Sequence, residues 1–374
     1  MAERERLLIL RSPVIAATAS DGRDWRLCTL GPACAGRDCT KQGKNGPCPE
    51  GEFCRLLPPG HLVDILTSAN LTRVLARNIC LTGLPRAGTT LTCELLGGLP
   101  NCVGLDEPLD RKGFIGEQPS TSRSGWLSRK RVTGQPAEPD HRRIVANIEQ
   151  FFADTRRSIL EQRVAISKHV DGRVFASKIA DATGPEGTRI RLARRGEISI
   201  TKPLTSDFTL VVKHNSAFAG VLDELAKALP VFAIVRNPLS VLASWQTVPI
   251  PVHRGHASLA EAFDPGLAAE LSRMPDTLDR QLHLVGWFFE RFVRVLPPQS
   301  ILRYEDIVGS DGQMLEVIQP SAAGRSVPLA SRNQAKVYDE GTMRKLGERL
   351  LAAQGAYWGP GLYSRDDVAE LLSV

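Results

Sequence analysis

The chain has 374 residues, 42% of them hydrophobic and 24% charged, and a formal net charge of +6. These proportions suit a folded domain with room for an extension, and no uncharged apolar run approaches the ~18 residues that a membrane-spanning helix needs. The mild positive charge suits an anionic ligand, and its scatter along the chain argues against a nucleic-acid-binding surface.

The opening "MAERERLLILRSPVIAATAS" contains an apolar run. Glu3 and Glu5 offset Arg4 and Arg6, and Pro13 interrupts the run. An opening strand is therefore expected rather than a secretion signal, and the expected location is cytoplasmic. Residues 1–60 read as a Cys/Gly/Pro-rich extension and residues 61–374 as one α/β domain. Cys28, Cys34, Cys39, Cys48 and Cys54 contain no CxxC pair. A structural zinc (with His61 as a substitute ligand), disulfides and reduced thiols are readings their spacing does not separate.

A helix is expected over 61–78, then a buried strand "ICLTG" and a helix over 89–96. Residues 110–143 are rich in Ser, Gly and Pro and read as a mobile surface loop or lid. "NIEQFFADTRRSIL" has helical spacing, and "VFASKI" and "ISITK" read as short strands. "FTLVVKHNSAFAGVLDELAKALP" gives a strand ending near Lys213 and His214. A helix follows that buries Phe218, Val221, Leu222, Leu225 and Leu229. Next comes "VFAIVR", a turn at Asn237-Pro238 and the helix "LSVLASW", with Pro at its first turn. An amphipathic helix "RQLHLVGWFFERFVRVL", a strand "SILRYED" and a helical C-terminus complete the chain, with Ser364 and Asp367 spaced as a capping box. Strands alternating with helices predict an α/β fold: a central parallel sheet flanked by helices, P-loop-like in its first unit.

The chemistry concentrates at Gly83-Leu84-Pro85-Arg86-Ala87-Gly88-Thr89-Thr90. A nucleoside-triphosphate loop carries Lys after its second Gly; here that position is Thr89. Backbone N–H groups of residues 86–90, at a helix start, are expected to converge on an anion, helped by the helix dipole. Gly88 permits close approach, Thr89 and Thr90 add hydroxyl donors, Pro85 stiffens the turn, and Arg86 offers a planar fork to oxygen atoms. A second anion group is expected where Arg236 ends a strand, with Ser244 two helical turns beyond.

"LTGLPRAGTTL" resembles the 5′-phosphosulfate loop of sulfotransferases, and "VFAIVRNPLSVLASW" resembles their 3′-phosphate motif. "ILRYED" is similar to the family's late strand-and-acid segment, so the likeness spans roughly residues 78–310. It implies a donor, 3′-phosphoadenosine 5′-phosphosulfate (PAPS), lying over Pro85, Arg86, Ala87, Gly88, Thr89 and Thr90. Its 3′-phosphate would meet Arg236 and Ser244, with Tyr304 near the adenine. The family transfers the sulfuryl group without a metal, which accounts for the missing lysine. The acceptor would be a hydroxyl of a carbohydrate, lipid or secondary metabolite. A P-loop kinase and a non-catalytic nucleotide-binding protein on the same fold are the competing classes.

Two residues compete as general base. Glu107, in "DEP", resembles an acid of the carbohydrate-type and bacterial branch. His214 resembles the histidine of a Lys-Thr-His run in the cytosolic branch, displaced here by one residue. Arg325 and Arg332 are the nearest late cations for a segment that the cytosolic branch closes over the 3′-phosphate. Trp245 and Trp287 read as core residues rather than purine platforms.

Overall fold

Strands that are apolar on both faces need cover on both faces, and the central sheet here receives it. The computed structural model describes residues 16–18, 24–26, 78–116, 138–174, 179–184 and 188–373. The chain divides into two compact units, Met1–Val74 and Leu75–Val374. In the first, β1 (Ala16–Thr18) and β2 (Asp24–Arg26) form an antiparallel pair. The cysteines at 28–54 and residues 61–77 of the helix expected over 61–78 lie outside the described residues, and Asn78 opens a strand instead.

The second unit opens with β3 (Asn78–Gly83), α1 (Thr89–Gly97) and β4 (Cys102–Asp106). It continues through α2 (Arg111–Ile115), α3 (His141–Gln162), β5 (Val164–His169), β6 (Ile179–Thr183), β7 (Arg189–Arg191) and β8 (Arg194–Ser199). Next come β9 (Thr209–Lys213), α4 (Ser216–Gly220), α5 (Leu222–Ala228), β10 (Val231–Val235) and α6 (Pro238–Gln246). The remaining α-helices and strand are α7 (Ser258–Phe263), α8 (Pro265–Ser272), α9 (Thr277–Val295), β11 (Ile301–Arg303), α10 (Tyr304–Gly309), α11 (Glu340–Ala352) and α12 (Arg365–Leu372).

Five strands form one parallel sheet in the order β11-β10-β3-β9-β4. Alternation along each strand feeds two cores. Cys80, Leu210, Val212, Ala233 and Val235 face one core with Phe152, Phe218, Leu242 and Phe288. Ile79, Leu81, Val211 and Ile234 face the other with Leu96, Leu302 and Ile307. β3 lies between β9 and β10, and the chain crosses from one to the other. The ends of these three strands therefore meet at the topological switch point, where open α/β sheets form their crevice.

Several elements differ from expectation. The helix after β9 breaks at Val221, whose backbone (φ −114°, ψ 20°) is not helical. Strand β11 stops at Arg303, and Tyr304 already begins a helix. Asp140 accepts from the Arg143 N–H and starts α3 inside the expected 110–143 loop, while Asp110 caps α2 by accepting from Gly113. Of that loop, residues 117–137 lie outside the described residues, as do residues 175–178 of "VFASKI". Ser364 and Asp367 do form a reciprocal capping box. β4, and the antiparallel pairing of β5 with β8, were not among the expected features.

Candidate active site

The turn after β3 gains its shape from two left-handed residues, Arg86 (φ 72°) and Gly88 (φ 92°). An Arg in that region is unusual and is held by its neighbours. Arg86 Nε donates to Ser244 Oγ at 3.1 Å, and Trp245 Nε1 donates to the Pro85 carbonyl at 2.8 Å. Ala87 corrects one expectation: its N–H closes the turn onto Leu84 O, and its side chain is buried in the core. The Ala87 N–H is therefore already engaged within the turn. Helix α1 begins with no side-chain cap and no acid in its first turn. Its leading N–H groups have no acceptor within the helix.

Gly88 answers a second demand. A Cβ there would lie 2.6 Å from Cδ2 of the Tyr304 ring. The same ring also meets Arg236, whose guanidinium carbon sits 4.8 Å from the ring centroid. The Tyr304 hydroxyl accepts from the Arg332 N–H at 3.1 Å. The ring is thus in contact with the loop, the guanidinium and the 332 backbone.

Arg236 is buried and bound on three sides. Nε donates to Asn333 Oδ1 at 2.8 Å, Nη1 to the Arg86 carbonyl at 3.0 Å, and Nη2 to the Arg332 carbonyl at 2.5 Å. A guanidinium carries five N–H groups, so two remain for a ligand. Glu305 supports this corner by accepting from Asn237 N and from Asn333 Nδ2, and from the Tyr363 hydroxyl at 2.7 Å. Ser244 corrects a further expectation. It is fully buried and absent from the cavity wall, so it acts on the site through Arg86.

A cavity of about 830 Å³ opens over these residues. Its wall includes Pro85, Gly88, Thr89, Thr90 and Tyr304. Eight wall residues are Lys or Arg (Arg86, Arg111, Lys168, Arg191, Arg195, Lys213, Arg236, Arg332) against two acids, Glu107 and Asp110. Burial, then the nearby charges of Arg189, Arg236 and Arg332, push Arg86 down to about 10, with Tyr338 opposing. Arg86 stays protonated at neutral pH, in a cluster of like charges.

Glu107 lies across the cavity, beyond the end of β4. Its backbone is left-handed (φ 44°), and its N–H donates to the Lys213 carbonyl at 2.8 Å. Lys213 Nζ binds Oε1 at 2.7 Å, and Lys168 Nζ binds Oε2. Lys213 also meets Asp106 Oδ1 at 3.2 Å, with both side chains buried. Burial disfavours the Lys213 charge, but Asp106 and Glu107 outweigh it and hold the ammonium above the ordinary lysine value.

His214 borders the same cavity but is poorly suited to be a base. Burial, with Lys213 and Lys168 adding to it, pushes its ring down to about 3 against the opposing pull of Glu107 and Asp106. Nε2 accepts the Leu109 N–H at 3.2 Å, so the neutral ring carries its proton on Nδ1. Edge-on contacts with Phe114 and Phe218, at 4.9 Å and 5.2 Å between centroids, fix the ring. Its one lone pair is already engaged.

No protein-family model matches the sequence, and no curated protein matches it. Among solved structures, the chain is similar to the crystal structure of sulfotransferase STF1 from Mycobacterium tuberculosis H37Rv, at 14% identity. The match covers 77% of this chain and 80% of that one, with a TM-score of 0.28. At that superposition the likeness adds nothing to the geometry above.

Sequence reasoning missed Lys168, Arg191 and Arg195, which come from the β5–β8 segment. "RIR" at 189–191 carried the available signal, because basic residues two apart on a strand share a face. Arg325 sits elsewhere, donating to the Gly98 carbonyl at 2.7 Å, whereas Arg332 borders the cavity. Trp245 is fully buried, and Trp287 is nearly so, with Nε1 donating to Asp264 at 3.1 Å. Among the described residues no cluster of three or more His, Cys, Asp or Glu side chains is arranged to hold a metal, and no helix is long and apolar enough to cross a membrane.

Proposed function

We propose that this chain is a sulfotransferase that moves a sulfuryl group from PAPS to an acceptor hydroxyl. One observation carries the reading. Arg86, Arg236 and Arg332 gather at an uncapped helix start, in the wall of a cavity that also holds Glu107 between two lysines, and the charge of buried Arg189 reaches Arg86. The mutual repulsion of the three guanidinium groups in the wall favours a polyanionic ligand. A cavity of about 830 Å³ has the size of small-molecule and cofactor sites. Its donors are guanidinium forks, hydroxyls and helix N–H groups, which suit phosphate and sulfate oxygens.

The donor supplies a sulfuryl group attached to a phosphate leaving group. Arg86, Gly88, Thr89 and Thr90 would hold the phosphosulfate end, with Pro85 and Ala87 shaping the turn. Arg236, with Arg332, would take the 3′-phosphate, Ser244 would steady Arg86, and Tyr304 would lie near the adenine. Preorganised donors of this kind stabilise charge that develops on a leaving oxygen.

Glu107 is the proposed general base. Lys213 bonds its Oε1 and Lys168 its Oε2, which holds the carboxylate at the cavity wall. Lys168 and Lys213 fix its direction and stand beside the reacting centre as cations. In-line alignment of the hydroxyl is the other requirement. The acceptor is proposed to be a hydroxyl of a carbohydrate, lipid or secondary metabolite.

Transfer of labelled sulfate from PAPS into a fractionated extract of the producing cell, with Arg86→Ala as the blank, tests the reading. Label appearing with the wild type and absent from the variant supports it. Binding of adenosine 3′,5′-bisphosphate without transfer to any fraction would point instead to a nucleotide-binding protein. Stabilisation by ATP and magnesium, with no response to the bisphosphate, would point to a phosphotransferase.

A further inference from the structure

Among the described residues, charges on the Glu107 side of the cavity do not balance. Lys213 is paired with Asp106 and Glu107, Lys168 with Glu107, and Arg195 with Asp110 at 3.1 Å. No acid among the described residues pairs with Arg111 or Arg191, and both line the cavity. Lys168 and Arg195 face each other across β5 and β8, so their side chains share one face. Arg191 precedes Arg195 by one short turn of chain. It lies on β7 two residues beyond Arg189, whose charge reaches Arg86. The basic wall therefore continues from the Arg86 cluster past the proposed base.

We infer that the acceptor alcohol bears an oxyanion of its own, a carboxylate, sulfate ester or phosphate ester, bound by Arg191 and Arg111 beside Glu107. The inference rests on the sulfotransferase reading, because that reading makes this side of the cavity the acceptor side. Arg111 and Arg191 are exposed, so water serves them when a neutral acceptor is bound, and they then do nothing to place it. An oxyanion meets them with charge-assisted, bidentate bonds, and it orients the hydroxyl towards Glu107.

The test uses four probes that differ in one substituent: methyl β-D-glucopyranoside and its 6-carboxylate, 6-sulfate and 6-phosphate counterparts. Calorimetric titration of the full chain is run with and without saturating adenosine 3′,5′-bisphosphate. With the bisphosphate present, at least one anionic glycoside is expected to bind about tenfold more tightly than the neutral one. Arg191→Gln is expected to remove that preference and leave bisphosphate affinity unchanged; Arg111→Gln repeats the test at a second position. Which of the three anions is preferred identifies the substituent. Equal binding of all four, no measurable binding of any anionic probe, or exclusion of these probes by the bisphosphate would overturn the inference. If the bisphosphate fails to bind while an anionic glycoside binds through Arg191, the sulfotransferase reading fails and the oxyanion site stands.

Discussion

Nη1 of Arg236 donates to the carbonyl oxygen of Arg86 at 3.0 Å. This bond fastens the end of β10 to the turn after β3, and so joins two motifs 150 residues apart in the chain. The same guanidinium holds the 332–333 segment, so one side chain organises three walls of the cavity.

Arg236→Lys is expected to be far from conservative. An ammonium cannot reproduce three divergent bonds, and buried carbonyl acceptors are left without partners. We expect a loss of about 2–3 kcal/mol in urea unfolding, together with weaker bisphosphate binding. Unchanged stability would show that the three bonds do not hold the loop.

Gly88→Ala should strain the backbone and drive a methyl group into the Tyr304 ring. The ring is confined by Arg236 on one side and by the Arg332 N–H at its hydroxyl, so it has little room to yield. A cost of about 1–3 kcal/mol is expected. Tyr304→Ala in the same chain should recover the steric part and leave only the cost of the positive φ. A double-mutant cycle by denaturant unfolding reads this coupling directly.

His214 makes a prediction about pH. Its folded value, about 3, lies below the roughly 6.5 of an unfolded histidine, so between these values the unfolded chain binds the extra proton. Its contribution is complete above about pH 6.5 and is lost as pH falls towards 3. The full span is worth at most about 5 kcal/mol. His214→Gln keeps an acceptor for the Leu109 N–H and removes the titration. The difference in unfolding free energy between wild type and variant should shrink as pH falls over that window. A difference that stays flat across it would mean that the ring is not held neutral by burial.

The sheet was legible because two-sided burial writes continuous apolar runs, as in "ICLTG", "TLVVK" and "VFAIV". Pro238 and the Ser364–Asp367 pair marked their helix starts by local chemistry. The candidate site was legible where it follows strand ends, at residues 83–90, at Glu107 and at Arg236. Other parts were hidden because tertiary contacts decide them. Val221 breaks a helix that propensity alone would continue. Ser244 faces Arg86 rather than the cavity, which no spacing reveals. Lys168 and Arg195 reach the site through antiparallel pairing of β5 with β8, and Arg191 through pairing of β7 with β6, non-local registers that short polar strands do not announce.

Glu107→Gln separates chemistry from binding. The amide keeps the side-chain volume and one acceptor oxygen but cannot take a proton. Turnover should fall by about 10²–10⁴, while bisphosphate affinity stays unchanged. His214→Gln should keep most of the activity at neutral pH. The reverse pattern in kcat would move the base assignment to His214.

The most direct measurement is calorimetric titration of magnesium-free protein with adenosine 3′,5′-bisphosphate, for the wild type and for a folded Arg86→Ala variant. The account predicts binding to the wild type without metal, weakened at least about tenfold in the variant by loss of a charge-assisted contact. No binding to the wild type, or equal binding to both proteins, would contradict it.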